Sequence, residues 1–122
     1  MEGVKMENKQ LELWNNLNED NTMKDVQTYI EEVIAIRGFA DHSVEQEMLM
    51  LTEEVGELAK AVRKDATHLT IDKNKIKNYD TIESEAADVF IVLASICNKL
   101  NINLFSAVKD KEKENIERLW NK

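Results

Sequence analysis

An all-α fold is predicted for this chain of 122 residues by three features of its sequence. It has no proline and only three glycines, so few residues interrupt helices. Apolar residues recur at helical spacing along most of its length. Capping boxes, the side-chain pattern typical of helix N-termini, precede two of the apolar segments. The length suits one domain with a real core.

Four core helices are predicted in order along the chain. The first begins at Thr22, which with Asp25 forms a capping box, and it ends at Gly38, a residue able to adopt the left-handed conformation. Ser43 and Gln46 form the second capping box. The predicted helices span about 22–37, 44–64, 81–100 and 104–120. Residues 1–21 are predicted to form an N-terminal arm or short helix, and residues 22–122 one domain.

The second helix carries two different faces. Its apolar face is expected to pack in the core and consists of Met48, Leu51, Val55, Leu58 and Val62. At 100° per residue, Glu53, Glu54 and Glu57 fall within one sector on another face. This carboxylate cluster is either a divalent metal site or a solvated acidic stripe supported by nearby lysines. Both interpretations stay open on this helix alone.

The third helix favours the metal site. Asp88 is the single charge between Ala86 and Cys97, in a helix so apolar that it should be buried. Glu85 lies one turn earlier on the same side. Two unit charges about 6 Å apart repel by roughly 3 kcal/mol at an effective dielectric near 20, and only bound cations or protonation relieve this repulsion. An all-oxygen ligand set without His or Cys indicates Mg²⁺ or Mn²⁺.

The composition excludes several classes of function. A net charge of −8 and a pI near 4.8 argue against general binding of nucleic acid or of anionic membranes. One cysteine, Cys97, excludes an internal disulfide and fits a reducing compartment. The sequence has no apolar run long enough for a transmembrane helix and lacks the order of a signal peptide. We therefore expect a cytoplasmic protein.

One side of the fourth helix changes from apolar to polar and charged residues along its length. Apolar residues in its first two turns are followed on the same side by Lys111, Asn115 and Arg118. Either the helix emerges from the bundle into solvent, or these side chains bind phosphate oxygens.

These residues resemble the signature of the MazG-like, all-α nucleoside triphosphate pyrophosphohydrolases. The signature is Glu-Glu-x-x-Glu at 53–57 and, after a 27-residue gap, Glu-x-x-Asp at 85–88. Lys-x-x-x-Asn-x-x-Arg at 111–118 resembles a conventional ending in such proteins, and the resemblance covers about residues 23–120. It implies a four-helix MazG-like bundle in which Mg²⁺ is bound by Glu54, Glu57, Glu85 and Asp88.

The resemblance also implies a reaction. The family hydrolyses nucleoside triphosphates between the α and β phosphates, a reaction that would serve nucleotide-pool housekeeping. It places Glu53 and Glu54 as catalytic residues, with Glu53 binding a second metal or orienting the water. Lys111, Asn115 and Arg118 would hold phosphate oxygens.

A base pocket would involve Phe39 and His42, although packing of Phe39 and solvation of His42 explain the two residues equally well. Members of this size form homodimers or homotetramers. The alternative function is a non-catalytic helical module that binds nucleotides or acts as an adaptor.

Overall fold

Five α-helices form the regular structure of the chain. The computed structural model describes residues 2–72, 74 and 80–120, and this part of the chain contains no strand. The helices are α1 (Glu2–Asn15), α2 (Met23–Ile36), α3 (Val44–Ala66), α4 (Ile82–Lys99) and α5 (Leu104–Ile116). The all-α prediction is confirmed, and α1 occupies most of the predicted N-terminal arm. The bounds of the predicted domain at 22–122 stay a prediction.

The observed boundaries of the four core helices agree with the predicted ones to within two residues, except at the end of α5. The prediction extends α5 to residue 120, whereas the helix ends at Ile116. The indole N–H of Trp120 donates a hydrogen bond of 2.8 Å to the carbonyl of Asn115. The same carbonyl also accepts the backbone N–H of Arg118 at 3.2 Å, so both bonds close the end of α5.

Both predicted capping boxes form. The hydroxyl of Thr22 accepts a hydrogen bond from the backbone N–H of Asp25 at 3.1 Å, and the Asp25 carboxylate accepts one from the Thr22 N–H at 3.0 Å. Ser43 and Gln46 make the same reciprocal pair at 3.1 and 2.8 Å. Gly38 follows α2 with φ +88°, the left-handed conformation expected of it. Local side chains therefore determine where α2 and α3 begin.

The turn between α4 and α5 uses an asparagine where a glycine is more usual. Asn101 has φ +56°, and the next N–H, that of Ile102, donates to the carbonyl of Cys97 at 2.8 Å. Asn103 then caps α5 by accepting a hydrogen bond from the N–H of Ser106 at 3.0 Å. Asparagine tolerates the left-handed region better than most residues, so α4 ends without a glycine.

The chain divides into two compact units, one of residues 1–41 and 97–122, the other of residues 42–96. In the first unit α2 packs against α1 and α5. Its core includes Ile30, Val33 and Cys97, all buried. Cys97 is therefore a free thiol buried in the core.

The buried amide of Gln27 joins α2 to the α4–α5 turn. Its nitrogen donates to the side-chain oxygen of Asn98 and to the carbonyl of Ile102, at 3.0 and 2.9 Å. Its oxygen accepts from the N–H of Leu104 at 2.8 Å. A buried amide with every group bonded fixes the geometry of the turn, because each lost bond would leave a buried polar group unsatisfied.

In the second unit α3 and the part of α4 up to residue 96 run in opposite directions. The hydroxyl of Ser95, near the end of α4, donates a hydrogen bond of 3.0 Å to the carboxyl group of Glu47, near the start of α3. Ala61 and Ala94 are fully buried. The helices therefore lie alongside each other over several turns.

The prediction of which α3 face enters the core is wrong. None of the five residues expected in the core is buried: Met48, Val55 and Val62 are 47%, 48% and 37% exposed, and Leu51 and Leu58 are half buried. The buried residues of α3 are Glu47 and Ala61, on the side of the helix that carries Glu54. The carboxylate side faces α4, so the apolar side is left on the surface of the chain.

No single helix in the described ranges is both long and apolar enough to cross a membrane. The helices α4 and α5 meet those criteria only when they are taken together as a bent pair.

Candidate metal centre

The first half of α4 carries two carboxylates one turn apart on the same side of the helix. Glu85 is only 8% exposed, while Asp88 is more accessible to solvent. The prediction that Asp88 lies in the buried part of the helix needs correction, because the fully buried stretch of α4 comes later, from Ala94 to Cys97. The carboxylate that the fold withdraws from water is that of Glu85.

Three carboxylates from two helices converge in the second unit. One oxygen each from Glu54, Glu85 and Asp88 can be chosen so that all three lie within 4.8 Å of one another. The antiparallel course of the helices produces this meeting. Glu47 on α3 faces Ser95 on α4. Seven residues later on α3 lies Glu54, and seven residues earlier on α4 lies Asp88, so these two also face each other. Two turns of helix separate the hydrogen-bonded pair from the carboxylate cluster.

The spacing of the three oxygens fits a divalent cation. Mg²⁺ binds oxygen at about 2.0–2.1 Å, so opposite ligands lie about 4.2 Å apart. Adjacent ligands of the same ion lie about 2.9 Å apart, so three carboxylate oxygens within 4.8 Å of one another can reach one ion after adjustment of their side chains. The described residues contribute only oxygen ligands to the cluster, which is the donor set that Mg²⁺ and Mn²⁺ prefer.

The electrostatics of the cluster favour a bound cation. Burial raises the pKa of Glu54, and the charges of Asp88, Glu85, Glu57 and Glu53 raise it further in that order. Burial also raises the pKa of Glu85, with smaller contributions from the charges of Asp88 and Glu57 and from Asp80. Both shifts mean that ionisation of the cluster is unfavourable when nothing compensates its charge.

Within the described part of the chain, no lysine or arginine forms an ion pair with any carboxylate of the cluster. A divalent cation would therefore supply the missing positive charge.

Glu57 and Glu53 lie beside the cluster and not in it. The carboxylate of Glu57 is half exposed and forms an ion pair with Lys60 at 3.6 Å, one turn along α3. Glu53 is exposed. The charges of both residues still contribute to the raised pKa of Glu54. Their predicted roles as a fourth ligand and a catalytic residue stay predictions.

The start of α4 holds a carboxylate that sequence reasoning missed. Asp80 accepts a hydrogen bond from the N–H of Thr81 and another from the hydroxyl of Ser84, both at 2.9 Å. These bonds lower the pKa of Asp80 and keep it ionised. The pattern Asp-Thr-x-x-Ser, with Thr81 accepting the N–H of Ser84 at 3.1 Å, is the sequence signal for this helix start. It fixes the turn that precedes Glu85.

The sequence pattern also did not predict the hydrogen bond between Ser95 and Glu47. Glu47 is 2% exposed, which is rare for a glutamate, and its carboxyl group accepts the Ser95 hydroxyl. The signal in the sequence is its spacing: it lies seven residues before Glu54 and therefore on the same side of α3. The polar stripe of α3 is thus longer than the carboxylate motif.

Of the predicted phosphate-binding residues, Lys111 and Asn115 lie on α5 and Arg118 lies just beyond its end, all in the first unit. Lys111 and Arg118 both contact the carboxylate of Glu114, at 3.2 and 3.3 Å, and the amide of Asn115 donates to Glu112 at 3.2 Å. Lys111 and Asn115 also line a surface pocket of about 270 Å³. Lys111 and Arg118 are exposed and Asn115 is half buried, and the role of all three stays a prediction.

The predicted base-pocket residues follow α2. Phe39 is half buried, and its carbonyl accepts a hydrogen bond from the ammonium group of Lys99 at 3.4 Å. His42 is also half buried and begins the second unit. A role for Phe39 and His42 in binding a nucleobase stays a prediction.

Comparison with known proteins points to one family. A model of the MazG nucleotide pyrophosphohydrolase domain matches residues 42–119. The uncharacterized protein YpjD of Bacillus subtilis (strain 168) is 37% identical over 90 residues, which make up 72% of this chain and 78% of YpjD. The crystal structure of YPJD from Bacillus subtilis, a candidate pyrophosphatase, is similar to this chain with a TM-score of 0.61 and 30% identity. It covers 83% of this chain and 100% of its own. The segment that the family model matches includes both helices that carry the carboxylate cluster.

Proposed function

Because this chain belongs to the MazG nucleotide pyrophosphohydrolase family, we propose that it hydrolyses a nucleoside or deoxynucleoside triphosphate to the monophosphate and pyrophosphate with Mg²⁺ as cofactor. The resemblance inferred from the carboxylate spacing is thereby confirmed. The observation that carries the proposal is the meeting of Glu54, Glu85 and Asp88 within 4.8 Å, in a site whose charge no lysine or arginine of the described residues compensates.

The residues of the cluster have distinct parts in this proposal. Glu54, Glu85 and Asp88 hold the cation, with Glu57 as a fourth ligand once it leaves Lys60. A bound Mg²⁺ neutralises charge on the phosphates and lowers the pKa of the attacking water. Glu53, exposed and next to Glu54, orients that water or contributes to a second ion.

The phosphates and the base have proposed partners outside the cluster. Lys111 and Asn115, with Arg118, bind phosphate oxygens, since ammonium, amide and guanidinium groups all donate hydrogen bonds to phosphate. Phe39 and His42 contact the base. A general role in maintaining the cytoplasmic nucleotide pool fits a substrate of this class. Mn²⁺ is the alternative cation, because it accepts the same oxygen ligands.

A second copy of the chain is the proposed partner, in a homodimer or a homotetramer. The exposed apolar face of α3 supports this proposal. The same face also favours the alternative function, a non-catalytic helical module that binds nucleotides or acts as an adaptor, because a large uncovered apolar surface is typical of a binding site.

A panel of nucleotides tests the proposed reaction. The protein is incubated with NTPs and dNTPs in Mg²⁺ or in EDTA, and pyrophosphate and orthophosphate are assayed separately. We expect pyrophosphate from at least one nucleotide, and none in EDTA. Release of orthophosphate alone would contradict cleavage between the α and β phosphates. Absence of turnover across the panel would favour the adaptor.

A further inference from the structure

The hydrogen bond between Ser95 and Glu47 lies in a buried part of the second unit. The Ser95 hydroxyl donates to the Glu47 carboxyl group at 3.0 Å, and the two residues are 5% and 2% exposed. Ala94, next to Ser95, is fully buried as well. Withdrawing a carboxyl group from water costs free energy, and a hydrogen bond to a buried partner offsets part of that cost. The fold therefore joins α3 to α4 at this point.

The bond and the carboxylate cluster follow one register along two antiparallel helices. Seven residues cover about two turns of an α-helix and return to nearly the same side. This step leads from Glu47 to Glu54 on α3 and, in the opposite direction, from Ser95 to Asp88 on α4. Burial raises the pKa of Glu54 most, and the charge of Asp88 is the next cause, as this pairing requires. The level at which one pair meets therefore determines where the other pair meets.

A further pairing in the cluster agrees with the same register. Glu57 lies three residues beyond Glu54 on α3, and Glu85 lies three residues before Asp88 on α4. Burial and the charge of Asp88 raise the pKa of Glu85 most, and the charge of Glu57 comes next. The two halves of the carboxylate motif therefore meet at the levels that the bond from Ser95 predicts.

A metal centre tolerates little error in this register. A slip of one residue would move α3 by about 1.5 Å along α4 and turn the side chain at a given level by about 100°. Mg²⁺ requires near-ideal octahedral geometry with oxygens at about 2.0–2.1 Å. After such a slip Glu54 would leave both the level and the side of α3 at which Asp88 lies. The three carboxylates therefore converge on one ion in one register of the helices.

Apolar packing in the second unit defines the register less sharply than the polar pair does. Ala61 on α3 and Ala94 on α4 are fully buried, and alanine is small enough to pack against different neighbours. A buried polar side chain is satisfied only where its partner lies opposite, and single polar residues fix the register of coiled coils in this way. The bond between Ser95 and Glu47 is therefore suited to select one register.

We propose that the hydrogen bond from Ser95 to Glu47 sets the register of α3 and α4 in which Glu54 meets Asp88. Glu47 and Ser95 are then positioning residues of the metal centre, because they lie two turns from it and act through the course of the helices. The inference rests on the metal centre of the proposed function. It requires that a cation binds there, not that a nucleotide is hydrolysed.

Binding of Mn²⁺ without nucleotide tests the proposal, since electron paramagnetic resonance measures the concentration of the free ion. Ser95→Ala removes the hydrogen-bond donor. We expect it to weaken Mn²⁺ binding about tenfold, the lower end of the losses found when groups that orient metal ligands are removed. Ser95→Thr keeps the hydroxyl group and is expected to retain most of the wild-type affinity.

Ile96→Val is the matched control for a loss of stability. It shortens a buried side chain next to Ser95 and destabilises the same part of α4 without removing the bond. Its Mn²⁺ affinity should equal that of the wild type at a temperature at which circular dichroism shows all the variants to be folded. Equal affinities of the Ser95→Ala and wild-type proteins, or equal losses in Ser95→Ala and Ile96→Val, overturn the proposal.

Glu47→Asp keeps the proposal testable if Ser95→Ala fails to fold. This variant retains the carboxylate but shortens the side chain by about 1.5 Å, one carbon–carbon bond, so the helices must shift to form the bond again. We expect weaker Mn²⁺ binding. Glu45→Asp makes the same change at an exposed position of α3 and should bind Mn²⁺ as the wild type does. A folded Glu47→Asp protein with the wild-type affinity overturns the proposal.

The proposed reaction can fail separately from this inference. A protein whose Mn²⁺ binding depends on Ser95, but which releases pyrophosphate from no nucleotide, would contradict the reaction and support the positioning role. A wild-type protein that binds no Mn²⁺ overturns the positioning role together with the metal centre.

Discussion

Glu54 on α3 and Asp88 on α4 hold carboxylate oxygens within 4.8 Å of each other, although both residues carry negative charge. Glu85 completes the group and is almost fully buried. Two features make this cluster costly to the folded chain: part of it is withdrawn from water, and its charges repel one another. Both costs decrease when a divalent cation binds, and this relation between stability and binding leads to measurable consequences.

Mg²⁺ should stabilise the folded protein. A ligand that binds only the folded state adds about 2.7 kcal/mol to the free energy of unfolding when its concentration is 100 times its dissociation constant. We expect a higher melting temperature in Mg²⁺, measured by calorimetry.

Asp88→Asn should melt at a higher temperature than the wild type when no metal is present, because one repelling charge is gone. Its melting temperature should respond little to Mg²⁺. Glu83→Gln removes an exposed charge from the same helix and should respond as the wild type does. An equal response of all three proteins would contradict the site.

The stability of the metal-free protein should fall as the pH rises above about 4.5, the ordinary pKa of a glutamate. Folding raises the pKa of Glu54 and Glu85, so the folded state binds more protons than the unfolded state in this range. Linkage then requires the free energy of unfolding to decrease with increasing pH through the raised pKa values. Asp25 and Asp80 have lowered pKa values, and their contribution is lost only below about 3.8.

Urea denaturation at several pH values in EDTA measures this dependence. Glu54→Gln should flatten the decrease above pH 4.5, and Mg²⁺ should reverse much of it. The contrary result is a free energy of unfolding that rises between pH 4.5 and 6.5 without metal, by the same amount in the wild type and in Glu54→Gln. In that case burial and repulsion of the Glu54 carboxylate do not control the stability.

Loss of the Ser95 hydroxyl should destabilise the second unit. Ser95→Ala removes the hydrogen bond to the buried carboxyl group of Glu47 and should cost about 1–3 kcal/mol of unfolding free energy. Urea denaturation measures the loss, and Ser106→Ala at an exposed position should change the free energy by less than about 0.5 kcal/mol. If both variants unfold alike, the buried hydrogen bond contributes nothing measurable.

Much of this structure could be predicted from the sequence, because the signals are local. The Thr22–Asp25 and Ser43–Gln46 pairs fix two helix starts through contacts within one turn. The positions of Glu85 and Asp88 on one side of α4 follow from helical geometry. The family resemblance depends on these same short spacings.

The failures concern partners that are distant in sequence. α3 has an apolar side and a carboxylate side, and its periodicity does not say which side faces α4. Apolar burial favours the apolar side, yet the buried residues of α3 are Glu47, which is bonded to Ser95, and Ala61, both on the other side. An apolar surface has the same composition whether it packs in a core or binds a partner, so the apolar pattern predicts burial of this side without naming what covers it. The early end of α5 is a different case, since Trp120 bonds to Asn115 only five residues away and the helical pattern does not indicate this contact.

Lys111→Ala should weaken substrate binding if α5 holds the phosphates. A charge-assisted hydrogen bond is worth about 1.5–3 kcal/mol, so the KM should rise by roughly tenfold or more. Steady-state kinetics with the best nucleotide of the panel measures KM and kcat. Lys113→Ala removes the same charge from the same helix outside the stripe and should leave the KM within about twofold. Similar kinetics of the two variants would mean that Lys111 is only a surface partner of Glu114.

Pyrophosphate release by the Asp88→Asn protein tests the central claim most directly. Without this carboxylate the cluster loses one of its three ligands but keeps the shape of the side chain, so the fold should persist, as circular dichroism can verify. We expect pyrophosphate release in saturating Mg²⁺ to fall at least about a hundredfold below that of the wild type and of Glu83→Gln. A folded Asp88→Asn protein that releases pyrophosphate at the wild-type rate would contradict the assignment of Glu54, Glu85 and Asp88 as the catalytic metal centre.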